Sequence, residues 1–297
     1  MSLDALFGSL YPLLLQPFAD YGFMRRALVG CLALAVGCGP VGVLLMLRRM
    51  SLMADAMSHA ILPGAAVAFL WAGLSLPAMS LGGFAAGLVV ALAAGGVARL
   101  TPLREDASFA AFYLISLAAG VLLVSARGNN VDLLHVLFGT ILAVDDVSLI
   151  EMAGVATFSI TGLAILYRPL VVECFDPGFL RSVGGGGGLA HYGFLVLVVV
   201  NLVAGFQALG TLMAVGLMML PAAAARFWAR ELWALAALAS ILAFVSGYLG
   251  LLLSYHGSLP SGPAIVLTAG MVYGVSVFVG PRGGLLSHYF PGRHRAA

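Results

Sequence analysis

The sequence predicts an all-α, polytopic membrane protein with about eight or nine transmembrane helices, folded as a single domain over residues 1–297. Three observations carry that reading. Of 297 residues, 62% are hydrophobic and 9% charged, whereas soluble domains carry about 25% charged residues. Apolar runs of about 18 residues or more recur from end to end, the length that crosses a bilayer as a helix. The arginines fall in the gaps between those runs. A soluble core of this size would show amphipathic helices with polar faces, and few occur here.

Residues 1–20 are expected to form an interfacial or re-entrant helix. The apolar stretch from Leu3 to Phe18 is short and interrupted by Pro12 and Pro17, and it lacks the charged start and cleavage site of a signal peptide. The expected spans are 23–47, 55–74, 77–98, 108–126, 147–167, 191–207, 210–227, 231–253 and 262–280. The count falls to eight if the closely joined pair 191–227 includes a re-entrant piece. Pro63 and Pro221 lie within spans and can kink them. Small residues are dense at Gly82-Gly83, Gly87, Gly95-Gly96, Gly210 and Gly216, which lets helices pack closely where lipid offers no hydrophobic drive.

Arginine placement orients the chain. With the Arg48-Arg49 loop inside, alternation puts Arg99, Arg104, Arg168, Arg181, Arg226, Arg230, Arg282, Arg293 and Arg295 on the same side. Only Arg25, Arg26 and Arg127 fall opposite, a split of 11 to 3 in the sense of the positive-inside rule. The tail 282–297 is then cytoplasmic, and 128–146 is outside. All 14 basic residues are arginine. A P-loop needs its lysine to hold nucleotide phosphates, so this chain has no ordinary Walker A site. The scattered charges give no nucleic-acid surface.

Asp55 and His59 open the second span at i, i+4, one helix face. A carboxylate and an imidazole suit zinc or manganese, and ionisable groups within a span are functional candidates by default. The competing reading makes Asp55 a helix cap and His59 a satisfied core histidine. Asp132 and His135, at i, i+3 in the outer segment, could receive metal at the mouth or form a solvated polar face. Asp145 and Asp146 would meet an outside partner or stay wet. His256 is a poor ligand candidate near a span end. His191, His288 and His294 lie on the cytoplasmic side, where the tail with Arg293 and Arg295 resembles a membrane-surface basic patch. Cys31 and Cys38 are seven apart on one face, as small packing residues. Cys174 lies in a loop, and no C-x-x-C pattern marks a metal site.

The connector 168–190 is the longest cytoplasmic segment. Asp176 before Pro177 is a helix start, Phe179, Leu180 and Val183 give a short apolar face, and the five glycines from Gly184 form a flexible link. It reads either as a membrane-surface helix or as a knob for a cytoplasmic partner.

The stretch Arg48-Arg49-Met50-Ser51-Leu52-Met53-Ala54-Asp55-Ala56-Met57-Ser58-His59-Ala60-Ile61-Leu62-Pro63-Gly64 closely resembles the signature of the zinc/manganese-type permeases of ABC importers. Three further pieces carry the resemblance in order: Leu137-Phe138-Gly139-Thr140-Ile141-Leu142; Phe175-Asp176-Pro177-Gly178 through Gly184; and Gln207 through Leu220-Pro221-Ala222-Ala223, followed by Pro260-Ser261-Gly262-Pro263. It covers about Phe23 to Pro281. Leu180 stands where the family more often has alanine, and Ala224 where threonine is common.

The resemblance implies the membrane subunit of an ATP-driven importer of a divalent transition metal, working by alternating access in a bacterial cytoplasmic (inner) membrane; the imidazole leans the cargo to zinc, with manganese next. It implies a second copy of the permease as a homodimer, separate ATP-binding subunits beneath it, and a periplasmic or lipid-anchored metal-binding protein outside. It implies metal contact by Asp55 and His59, with two ligands from each protomer meeting at the dimer axis. It implies that 174–184 acts as a coupling helix, with Glu173, Asp176, Phe179 and Arg181 as the ATPase contacts. The chain itself would catalyse no covalent chemistry and bind no cofactor; ATP would sit on the partner. Two rivals remain. A stand-alone secondary transporter or channel for a divalent cation would need no docking loop. An intramembrane enzyme has little support, since neither H-E-x-x-H nor G-x-S-x-G occurs.

Overall fold

The described residues 11–73, 75–125, 141–175 and 187–286 of this computed structural model are helical, with no strand among them. The helices are α1 (Gln16–Asp20), α2 (Gly22–Leu47), α3 (Ser51–Ala72), α4 (Leu76–Leu100), α5 (Glu105–Ser125), α6 (Asp146–Phe175), α7 (Gly187–Leu209), α8 (Thr211–Ala225), α9 (Leu232–Gly257) and α10 (Ser261–Val279). A 3-10 turn covers Ile141–Ala143. Every expected span has its helix. Among the described residues, seven are long and apolar enough to cross a membrane: α2, α3, α4, α6, α7, α9 and α10. The 15 residues of α8 reach about 22 Å at 1.5 Å per residue, short of the ~30 Å hydrocarbon core. The pair α7–α8 breaks at Gly210, whose φ of 80° lies in the left-handed region that glycine adopts without a Cβ clash.

Three boundaries differ from expectation. Helix α3 begins at Ser51, because the chain reverses at Arg48–Met50 with Arg49 at φ 58°. Asp55 therefore lies inside the helix, not at its cap. Helix α6 runs on through Pro169 to Phe175; an interior proline removes one backbone bond but leaves the turns beyond intact. Helix α7 begins at Gly187, so Gly187 and Gly188 are its first turn rather than part of a flexible link. The connector expected over 168–190 narrows to 176–186, which lies outside the described residues.

The chain divides into two compact units: Met1–Val43, Thr140–Ala153 and Gly216–Ala297; and Leu44–Gly139 with Gly154–Val215. In the first unit α9 and α10 form a hairpin. The Thr268 hydroxyl donates to the Ser246 carbonyl at 2.8 Å, and Gly247 admits Cys31 of α2. The α1 region is tied to α9: Phe18 stacks on Tyr248 at 5.1 Å, and the Tyr248 hydroxyl donates to the Leu14 carbonyl at 2.8 Å.

In the second unit α3 and α4 cross at Gly64 and Gly82. A Cβ built on either glycine would collide with the other's carbonyl, a close approach available only to small residues. Pro63 of α3 packs against Gly120 of α5. A buried polar pair joins α6 and α7, with the Asn201 amide donating to Ser159 Oγ at 2.6 Å.

Candidate metal site

Helix α3 presents Asp55 and His59 one turn apart. His59 Nε2 is 3.8 Å from Asp55 Oδ1, with the side chains 31% and 65% exposed on the single chain. That is beyond hydrogen-bond range. Two ligands about 2.1 Å from one ion lie roughly 3–3.5 Å apart, so a small side-chain rotation brings both onto one ion. The helix is fixed behind them by Met53, Ala54, Met57 and Ala60, all buried. Tyr113 of α5 lies beside the imidazole, 5.5 Å between ring centroids. The Ser58 hydroxyl bonds back to the Asp55 carbonyl at 2.7 Å, leaving the carboxylate to face outward. Among the described residues no group of three or more His, Cys, Asp or Glu could hold a metal ion.

The other expected residues divide. Asp132 and His135, like Asp176, Phe179 and Arg181, lie outside the described residues, as do His288 and His294. Asp145 is the N-cap of α6, accepting the Ser148 backbone N–H at 2.9 Å. That side-chain hydroxyl and N–H of Ser148 hold its carboxyl below the usual carboxylate range. Asp145 is exposed, as the reading that it stays wet expects, and it has this capping role besides. Asp146 pairs with Arg26 at 3.5 Å on an exposed surface. His256 bonds the Leu13 carbonyl at 3.0 Å. Cys31 and Cys38 are buried, as packing residues should be.

Sequence reasoning missed a buried ionic network at one end of the second unit. Glu173, 9% exposed, turns its carboxylate inward from the last turn of α6. Arg99 Nη2 donates to its Oε1 at 2.6 Å, and Arg48 Nη2 lies 3.6 Å from the same oxygen. Arg48 also donates to His191 Nδ1 at 2.7 Å, so that nitrogen is the acceptor and the proton belongs on Nε2. Glu105 lies at the edge of the network, 3.7 Å from that unprotonated nitrogen, and feels the Arg48 charge. Both guanidinium groups cover aromatic faces, Arg48 on Phe194 at 5.1 Å and Arg99 on Tyr192 at 5.7 Å. A carboxylate near a helix C-terminus faces the negative end of the macrodipole, and burial adds a desolvation cost; two arginines offset both. The available signal was that residues 48, 99, 105, 173 and 191 all sit at span ends on the arginine-rich side. The structure brings Arg48 and Arg99 to one carboxylate, as that shared side requires.

The model of the ABC 3 transport family matches residues 20–280. The chain is 31% identical over 275 residues to the manganese transport system membrane protein MntC of Halalkalibacterium halodurans, covering 92% of this chain and 93% of that one. It is 31% identical over 268 residues to the chelated iron transport system membrane protein YfeD of Yersinia pestis, covering 90% and 89%. Its fold is similar to PsaBC from Streptococcus pneumoniae, solved in complex with Fab, with a TM-score of 0.79 at 30% identity over 93% of this chain and 98% of that one. The resemblance read from Arg48–Gly64 is borne out: the chain belongs to the ABC 3 transport family.

Proposed function

We propose that this chain is the permease subunit of an ATP-driven importer that moves a divalent transition metal across a bacterial cytoplasmic membrane by alternating access. One observation carries the reading: Asp55 and His59 stand together on one exposed face of a membrane-crossing helix, 3.8 Å apart. Ionisable groups inside a membrane-crossing helix are functional candidates by default, and this pair persists where an ion, water or a second protein surface covers it. A second copy facing this one supplies two further ligands and completes a four-ligand shell. ATP belongs to a separate chain, since this one contains no lysine for a phosphate loop. That chain docks at 176–186, and a metal-binding protein delivers cargo from outside.

The donor pair accepts manganese or zinc alike. The relatives are named for manganese and chelated iron, which moves manganese ahead of zinc as the first cargo to test. The test is uptake of manganese and of zinc, each with the other as competitor, by cells co-expressing this chain with a cognate ATPase and binding protein. His59→Ala should abolish uptake while the folded protein persists in the membrane, and Asp55→Asn should do the same. Unchanged uptake in both variants removes the site. Uptake that persists without the ATPase favours the secondary-transporter rival.

A further inference from the structure

Residues 176–186 separate α6 from α7, and one side chain from a third helix holds both flanks. Arg99, in the last turn of α4, uses a single nitrogen for two bonds. Its Nη2 donates to Glu173 Oε1 at 2.6 Å on the α6 side and to the Gly187 carbonyl at 2.7 Å on the α7 side. A Cβ at Gly188 would lie 3.4 Å from Arg99 Nη1, so the first turn of α7 approaches the guanidinium closely. Tyr192, one turn further along α7, lies under the guanidinium, with its ring centroid 5.7 Å from the central carbon.

Neutralising Glu173 explains the first bond. It does not require the second, because the Gly187 carbonyl is neutral. The second bond ties the start of α7 to the same group that ties the end of α6. Fixing both ends of a connecting segment removes the freedom of its closure. It also means that a push on the segment reaches α4, α6 and α7 through one guanidinium. Glu173 is itself held from behind by Arg48, so the clasp has a buried anchor. This revises the expected role of Glu173: its carboxylate faces inward, in reach of Arg99 and Arg48.

We propose that Arg99 is a positioning residue for energy coupling: it clasps both ends of segment 176–186 so that movement imposed there by the ATP-binding chain is passed to the membrane helices. This rests on the importer reading above.

Two readouts separate the clasp from that reading. The first needs only this chain in nanodiscs, with nitroxides at Phe175→Cys and Leu189→Cys in a Cys174→Ser background. Both labelled side chains are exposed. In the native background their dipolar broadening should be strong. Arg99→Gln removes the charge-assisted bonds and should lower the clasped fraction about tenfold, with the broadening lost. The second readout is metal moved per ATP hydrolysed in proteoliposomes of the complex with its cognate ATPase. Arg99→Gln should lower that ratio by a similar factor while the ATPase still co-purifies and still hydrolyses ATP. Arg99→Lys keeps an ammonium able to donate to both acceptors and should restore most of both signals.

Unchanged broadening in Arg99→Gln overturns the clasp. Lost broadening with unchanged metal per ATP overturns the coupling role. A purely structural arginine would lower assembly and hydrolysis together, with the ratio intact, and that result also overturns the proposal. If Arg99→Gln does not fold, Arg99→Lys decides: a folded but uncoupled lysine variant refutes it, and a coupled one supports it. A native complex with a tight nitroxide pair and no ATP-dependent uptake overturns the importer reading and the coupling role with it, while the clasp itself stands.

Discussion

Glu173→Ala is the most informative single change for the fold. It removes the one carboxylate shared by Arg99 at 2.6 Å and Arg48 at 3.6 Å. The two arginines respond differently. The Arg99 side chain is 21% exposed and can turn outward. The Arg48 side chain is 6% exposed and cannot, so it is left with His191 and the more distant charge of Glu105. Stranding one member of a buried pair costs about 3–5 kcal/mol. Because only one charge is stranded, the low end applies, about 3 kcal/mol. Glu173→Gln keeps the shape and one acceptor oxygen, so its cost should be about 1–2 kcal/mol. Arg48→Met removes the stranded charge and fills its volume. The double variant should therefore be less destabilised than the sum of the singles by about 1.5 kcal/mol or more. The measurement is the unfolding midpoint of the purified chain in mixed micelles against SDS mole fraction, followed by far-UV circular dichroism. A Glu173→Ala chain within about 1 kcal/mol of the native one, or a strictly additive double variant, refutes the network as a stabilising unit.

Three further outcomes follow from the same contacts. Gly64→Ala drives a Cβ into the Gly82 carbonyl; backbone cannot rotate away, so the loss should reach the upper end of the roughly 1–3 kcal/mol for overpacking, and a chain of native stability would show that α3 and α4 are not in contact there. Ser159→Ala breaks the buried bond from Asn201 and should cost about 0.6–1.7 kcal/mol, the range for hydrogen bonds between membrane helices; no change in the unfolding midpoint would count against the pair. Asp145→Ala removes the cap of α6. The native carboxyl titrates below its usual range because Ser148 bonds it, so its contribution is present above the unfolded value near pH 4 and is lost as pH falls through the depressed folded value. The gap in thermal stability between Asp145→Ala and the native chain should be widest at pH 7 and close on acidification; a gap independent of pH would contradict the cap.

The helices were legible because apolar length is a local property. Each expected span corresponds to a helix, and the Asp55–His59 pair could be read from a spacing of four. What failed to read was of two kinds. Helix ends moved where a local breaker was outweighed: Pro169 sits inside α6, and the Arg48–Met50 reversal starts α3 four residues before Asp55. The ionic network was invisible for a different reason. Arg48, Arg99, Glu105, Glu173 and His191 come from five separate helix ends, and no pattern within a window of the sequence pairs them. Taken singly, Arg48 and Arg99 read as markers of orientation, Glu173 as an ATPase contact and His191 as a cytoplasmic-side histidine. Only the fold shows that the acid at 173 is buried and therefore has to be paired.

The same burial separates two arginines that a topology rule treats alike. Arg48 and Arg49 are adjacent, yet Arg49 is exposed at a left-handed backbone position while Arg48 is enclosed. Only Arg49 behaves as a membrane-side marker that water solvates. Arg48 and Arg99 do something an ammonium does in part only. Each sets its guanidinium carbon over an aromatic ring, Phe194 at 5.1 Å or Tyr192 at 5.7 Å, while Nη2 donates to polar acceptors. A lysine offers donors enough for the acceptors, but as a compact, strongly hydrated point charge it has no flat face to give the ring. In a buried site the ring contact matters, since cation–π contacts gain strength as water is excluded. At these two positions the choice of arginine follows from the chemistry of the network, independently of any rule about which side of the membrane carries positive charge.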